Sequence, residues 1–473
     1  MEHLTYSLIE YFRTKLVFLL PEVVLFVGSN ILLLASLFEK KYHHRIWYGN
    51  LLVCLYVLVL GLAIFYTYQL PELSSQINFR RLILFSALLM AICFPKPRSI
   101  VQNRFLGEYY FLLSVSVLGF MVMLTAEEWL TLVISLELSA VALYVLVILA
   151  WRKSSLEGTL KYLLFGVMAS AIMIYGISWL YGLQGGNLNF ENITWKIDNK
   201  NLAYAAFILA ISGFLLKISA FPWHIWTPDA YQTAPTAVVA FLATIPKIAS
   251  IVIIYKLFSF YQPLLPALSE LIVFIALVSI VLGNLVAFWQ KNLKRMLAYS
   301  SVANAGFLLV ATSMQKSSDE KILIFFLLVY VLANFLLFLL AEYYEQNYQI
   351  TEIEQFAGIG QRHIGLMLAM LWGFLTLAGL PPTAGFTAKL LLFSLLWEKY
   401  KTLQLDIYVW WLVIGLLGTF LALFYYLKVP FQAFFKQAKN YQQTKKNLHL
   451  YITITFLAIL ILLLFFYPFL LFK

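Results

Sequence analysis

This chain is poor in charge. Only 12% of its 473 residues are Asp, Glu, Lys or Arg, against roughly 25% in a soluble domain, so a water-soluble globule is excluded. Cysteine is nearly absent: Cys54 and Cys93 stand singly inside apolar segments, leaving no CxxC framework, no Fe–S ligand set and no disulfide scaffold. Histidine is scarce as well. His3, His43, His44, His363 and His449 lie in or beside loops, and His224 alone sits deep in a candidate site, so paired-histidine haem ligation between spans is not expected. No GxxxxGK[ST] loop occurs, which removes ATP hydrolysis by that route. A cleavable leader is not expected either, because the first apolar run contains Pro21 and Glu22 and lacks a small-residue cleavage pattern.

What is present is apolar. The chain is 62% hydrophobic and 17% aromatic, and runs of 18 or more apolar residues recur from end to end, each long enough to cross a hydrocarbon layer of about 30 Å. The pattern predicts an all-α polytopic membrane protein with about 14 transmembrane helices. The first seven fall near 16 to 38, 47 to 69, 82 to 95, 108 to 125, 129 to 151, 160 to 182 and 203 to 226. The second seven fall near 236 to 259, 267 to 289, 296 to 314, 322 to 344, 364 to 397, 407 to 428 and 448 to 471. The longest loops, 183 to 202 and 429 to 447, are too short for an independent soluble core. Function is therefore expected inside the bilayer.

Basic residues exceed acidic ones, giving a formal charge of +11. They are spread over short loops, which reports orientation and speaks against a nucleic-acid partner. Of the 33 Lys and Arg, 18 fall in odd-numbered loops and 12 in even loops and termini. Cytoplasmic loops collect positive charge, so both termini are expected on the outer side. The remaining three, Lys217, Lys247 and Lys389, lie within spans.

A charge at the centre of a membrane helix costs about 2.5–3.5 kcal/mol on insertion scales. Glu137 lies mid-span in TLVISLELSAVALYV, Lys217 in FILAISGFLLKISAFPWHIW, Lys247 in FLATIPKIASIVIIY and Lys389 in LAGLPPTAGFTAKLLLF. Each also has a structural reading. A buried Glu137–Lys217 pair could simply join helices, a contact worth about 0.6–2 kcal/mol, and Lys247 could cap a carbonyl freed by Pro246. Glu22, Glu342, Lys161 and Lys294 lie nearer span ends, where snorkelling to the interface is expected. Tyr and Trp at span termini read as interfacial belts. Around Pro222 and around Pro381 and Pro382, Pro, Gly and small polar residues interrupt the apolar text, which predicts two broken helices. Broken helices in two halves of a transporter point to repeats and a midplane ion site. A desolvated lysine beside a carboxylate can hold or release a proton. Glu137, Lys217, His224, Lys247 and Lys389 would thus form a row of protonatable groups, with His224 in PWHIW either a bridge or a hydrogen-bonded structural histidine. In letters the repeat is faint. Lys389 lies 172 residues after Lys217, and the position 172 after Lys247 is Thr419, which does not ionise.

These residues carry a resemblance. LELSAVALYVLV, LLKISAFPWHIWTPDAYQTAPTAVVAFLATIPKIA, KRMLAYSSVANAGF and GLPPTAGFTAK resemble the antiporter-like membrane subunits of respiratory complex I (NADH:quinone oxidoreductase), most of all the N-type. The resemblance covers most of the chain and is most specific in the second and third stretches. It implies 14 helices, two inverted five-helix repeats, broken helices seven and twelve, and proton translocation coupled to quinone reduction elsewhere in the complex. It further implies a three-helix segment at 1–107, a first repeat at 108–260, a second at 261–430 and a last loop and helix at 431–473. Glu137 and Lys217 would be the coupling pair, Lys247 the central relay, His224 a connecting group and Lys389 the exit-side relay. No cofactor is implied in this chain. Its partners would be the other membrane and peripheral complex I subunits, carrying FMN and Fe–S clusters with quinone as substrate, and membrane lipid. The setting implied is a bacterial inner membrane, with this chain a non-redox part of a translocase. The rivals are a large subunit of a multisubunit cation/proton antiporter or of a membrane-bound hydrogenase-type complex, and, more remotely, a transporter for an organic anion.

Overall fold

The computed structural model describes residues 17–38, 46–70, 75–97, 100, 105–149, 153–190, 193, 199–313, 317–437 and 448–468. Among them every regular element is a helix, and β structure is limited to two isolated bridges. Inside a bilayer a helix satisfies its own backbone, which is why an apolar chain of this length takes that form. The first half contains α1 (Leu20–Ser36), α2 (Ile46–Gln69), α3 (Ser75–Cys93), α4 (Leu106–Thr125), α5 (Trp129–Ile148) and α6 (Lys153–Leu183). It continues with α7 (Lys200–Ala210), α8 (Ser212–Ile218), α9 (Thr227–Thr233) and α10 (Thr236–Tyr261). The second half contains α11 (Leu268–Trp289), α12 (Leu293–Thr312), α13 (Ser317–Tyr348), α14 (Ile359–Arg362), α15 (Ile364–Ala378), α16 (Ala384–Leu403), α17 (Asp406–Phe435) and α18 (Leu448–Phe466).

Ten of these helices are long and apolar enough to cross a membrane, or 11 if α7 and α8, bent by 42° at Ile211, form one span. The protein is therefore a polytopic helical membrane protein. Two further apolar helices, α1 and α15, are shorter. The polar helix α12 is not among the candidate spans, yet it is buried along nearly its whole length. Lys294, Arg295, Ser300, Ser301 and Asn304 lower its hydropathy, and all of them but Arg295 are buried against protein.

Helices α10 and α13 pack on each other at the centre. All of the most apolar stretch of α10 is buried, and α3, α4, α8 and α12 pack around it. Helix α13 adds contacts with α15, α16 and α18. Two further features recur in the two halves. Glu128, before α5, bridges antiparallel to Asn189 after α6, and Asn292, before α12, bridges antiparallel to Glu352 after α13. The hydrogen bonds match: Trp129 N to Leu188 O at 3.1 Å and Leu293 N to Thr351 O at 3.0 Å.

Three expectations about charges near span ends are corrected. Arg80 is not a loop residue but lies in α3, fully buried, and its Nη2 pairs with Glu22 of α1 at 2.6 Å. Glu22 is buried too and does not snorkel, because both of its carboxylate oxygens accept from Arg80 Nη2 inside the bundle. Lys294 is buried at the start of α12, where Glu345 of α13 accepts from it at 3.1 Å. Lys161, by contrast, keeps 42% of its side chain exposed, in line with a residue near the interface.

Candidate functional site

The two interruptions expected from the prolines are present. Helix α8 ends at Ser219, whose φ of 63° is left-handed, and helix resumes at Thr227. Helix α15 ends at Gly379, with φ of 80°, and helix resumes at Ala384. Each end closes with the same backbone bond five residues long, Ala220 N to Leu215 O at 3.0 Å and Leu380 N to Leu375 O at 3.1 Å. This is how a helix stops by turning into the left-handed region and satisfying its last carbonyls. Both breaks contain a cis X-Pro bond, Phe221-Pro222 and Pro381-Pro382.

Lysines accompany both breaks and the central helix. Lys217, Lys247 and Lys389 are 3%, 0% and 5% exposed, so none reaches the interface. Lys217 is in the last turn of α8, and its Nζ donates to Tyr162 Oη at 2.9 Å. Tyr162 belongs to α6 and stacks on Trp226 at 4.1 Å between centroids, and Trp226 Nε1 donates to Leu216 O at 3.2 Å. Tyr144 of α5 completes an aromatic wall, with ring centroids 5.2 Å (Tyr144) and 4.9 Å (Tyr162) from the ammonium. Such faces attract a cation through the ring quadrupole.

Lys247 lies beside Pro246 within α10, but it does not cap a carbonyl of its own helix. Its Nζ crosses to α12, donating to Ser301 O at 3.1 Å and to Ser301 Oγ. Lys389, in α16, reaches back over the second break and donates to Leu377 O at 3.0 Å and Ala378 O at 2.9 Å, the last carbonyls of α15. An ammonium there meets the negative end of the half-helix dipole. Phe307 lies under it, 4.4 Å from the ring centroid.

Glu137 is half-buried on α5 and accepts a hydrogen bond from Ser170 of α6. It forms no ion pair with Lys217, and none of the three lysines is ion-paired among the described residues. His224 lies half-buried in the first break, its ring 6.0 Å from that of Phe221. None of the hydrogen bonds of the three lysines goes to it.

Sequence reasoning missed the partners. Tyr144, Tyr162 and Trp226 are buried around Lys217, and Tyr162 and Trp226, near span ends, are not part of an interfacial belt. Tyr144 carried a signal, since it follows Glu137 by seven residues, two turns along one face. It also missed a clamp on the short helix α9. Asp229 accepts from Lys161 of α6 at 2.7 Å and from Arg295 of α12 at 2.5 Å, joining the two halves. Burial pushes the Asp229 carboxyl up, but these two cations outweigh it and hold it below the ordinary carboxylate range.

The fold and site define a class, the polytopic helical membrane proteins with interrupted helices and buried lysines. The chain belongs to the NADH:quinone oxidoreductase/Mrp antiporter transmembrane family, whose model matches residues 126–422. It is 34% identical over 455 residues to NADH-quinone oxidoreductase subunit N of Heliobacterium modesticaldum, covering 93% of this chain and 94% of that one. A chain of respiratory complex I from Thermus thermophilus, solved with bound aureothin, superposes with a TM-score of 0.77 at 27% identity, covering 95% of this chain and 97% of that one. A chain of the Mrp complex from a Dietzia species superposes at 0.79 with 16% identity, covering 96% and 95%, a likeness of fold.

Proposed function

We propose that this chain is the N-type membrane subunit of an NADH:quinone oxidoreductase and carries protons along a midplane row of Glu137, Lys217, Lys247 and Lys389. His224 serves as a connecting group at the first break. Quinone reduction belongs to other subunits, which hold FMN and Fe–S clusters, and this chain acts as a non-redox part of the translocase. The observation that carries this reading is the set of three buried lysines with only neutral partners. A cation kept for structure alone is cheapest when paired with a carboxylate. The hydroxyls of Tyr162 and Ser301 can instead accept from an ammonium or donate to a neutral amine, so they suit a group that gains and loses a proton.

The organisation inferred is 14 spans, with repeats at 108–260 and 261–430, a preceding segment at 1–107 and a last loop and helix at 431–473. The bridges support it: Asn292 follows Glu128 by 164 residues and Glu352 follows Asn189 by 163 (292 − 128 and 352 − 189). The left-handed caps Ser219 and Gly379 are 160 apart (379 − 219). Five spans separate the two bridged turns, an odd number, so the repeats are inverted. Basic loops on one side favour both termini outside, and the full complement of N-terminal spans suits a bacterial inner membrane.

The test is Lys247→Ala in the intact complex reconstituted in vesicles. Protons pumped per quinone reduced are expected to fall, and wild-type stoichiometry at wild-type turnover would overturn the reading. A multisubunit cation/proton antiporter shares the fold. Gentle purification separates the two, since flavin and Fe–S subunits should accompany this chain and small membrane partners alone should not.

A further inference from the structure

The proposed row has a gap. No hydrogen bond joins Lys247 to Lys389, yet a proton passing between them needs groups that accept and donate at each step. Helices α12 and α13 supply such groups. Lys247 Nζ donates to Ser301 Oγ, which lies 2.9 Å from Tyr330 Oη of α13. Tyr330 and Lys389, together with Asn304 and Thr376, line one small cavity. The space in it open to a water's centre is about 10 Å³, room for about one molecule. Ser301, Tyr330 and Asn304 are all buried, so bulk solvent does not replace these partners.

The repeat assigns Ser301 its place. Glu137 stands nine residues after Glu128, which bridges Asn189, and Ser301 stands nine after Asn292, which bridges Glu352 (137 − 128 and 301 − 292). Each is hydrogen-bonded by a hydroxyl of the next long helix, Ser170 of α6 on Glu137 and Tyr330 of α13 on Ser301. The second half thus has a neutral hydroxyl where the first has a carboxylate.

We propose that Ser301 and Tyr330, with one water in the cavity, form the transfer segment between Lys247 and Lys389, the second half's counterpart of the Glu137 and Ser170 pair. This rests on the relay reading above. The ammonium of Lys247 gives its proton to Ser301 Oγ, whose own proton moves to Tyr330 Oη. The phenol proton passes to the water, and the water protonates the neutral amine of Lys389. Each hydroxyl gains one proton and loses one, so the net change is a proton moved from Lys247 to Lys389. A carboxylate at position 301 would pair with the ammonium and keep it, whereas a hydroxyl can pass it on.

The test uses the intact complex in vesicles with Tyr330→Phe, which keeps the ring and removes the hydroxyl. Ser300 and Tyr426 form a neighbouring buried hydroxyl pair that bonds neither lysine, so Tyr426→Phe serves as the control. Pumping is expected to slow about tenfold or more in Tyr330→Phe, with a larger rate ratio between H2O and D2O, and to stay within about twofold of wild type in the control. Equal losses in the two variants would overturn the segment, because packing would then account for both. Wild-type pumping in Tyr330→Phe with pumping lost in Lys247→Ala overturns the segment and leaves the relay standing. Wild-type pumping in both removes the relay with it.

Discussion

At the first break the lysine belongs to the half-helix that ends there, and its ammonium turns to a phenol; at the second the lysine comes from the helix beyond and ties back to backbone carbonyls. Lys217 precedes Pro222 and Lys389 follows Pro382, so in sequence the two look unrelated. In space both serve the end of a half-helix. The chemistry of the partners differs, though. A carbonyl can only accept an N–H of the amine, while a phenol can also donate to the lone pair of the neutral form. The first break is therefore exposed to side-chain substitution, and the second to anything that moves its backbone.

The largest effect should come from removing the lysine at the adaptable site. Lys217→Ala in the intact complex is expected to slow proton transfer through this chain by on the order of a hundredfold, measured as lost quinone-coupled pumping in vesicles. Retained pumping would make the first break structural. Tyr162→Phe keeps the stack on Trp226 and removes only the acceptor of Lys217, at an expected cost of about 1.5–3 kcal/mol. Faster thermal inactivation of the solubilised complex, with slowed pumping, is the readout. If Tyr162→Phe leaves both unchanged, the contrast between the breaks fails.

The second break should respond to its backbone. Gly379→Ala forces a side chain into the left-handed region, at about 1–2 kcal/mol, and its Cβ would sit 2.6 Å from Lys389 Cδ. Ser219→Gly at the equivalent cap should instead be neutral or slightly stabilising, because it relieves the same conformation. Thermal inactivation of the two variants in opposite or unequal directions checks this pair. The smallest expected effect is at Asp229. Its carboxyl titrates below the ordinary range in the folded chain, so the clamp's stabilisation is present above the usual carboxylate pKa and is lost as pH falls through the lowered value. Inactivation rates measured against pH in acid should steepen for the wild type and flatten for Asp229→Asn.

The breaks and the charges were legible because each violates a strong rule. Proline and glycine interrupt a helix, and an ionisable group in hydrocarbon is expensive wherever it points. The partners were not legible. Ser301 and Tyr330 are ordinary residues in apolar text, 29 apart, and only the packing of α12 on α13 joins them. Glu22 and Arg80, 58 apart, read as two interfacial charges because nothing local announces an ion pair across α1 and α3. An offset of 172, taken from the two lysines, found no counterpart for Lys247. The lysines sit on opposite sides of their breaks, and the backbone equivalences run at 160 to 164 instead.

By itself the sequence determined the medium, the helical architecture, the two interruptions and the four charges that must stay at depth, since these follow from local pattern and from the cost of solvating charge in oil. Which hydroxyl, ring or carbonyl meets each ammonium was decided by tertiary structure alone. Such partners lie one helix diameter away and dozens of residues apart, and their identity depends on the rotation and depth of neighbouring helices, which a run of apolar letters leaves open.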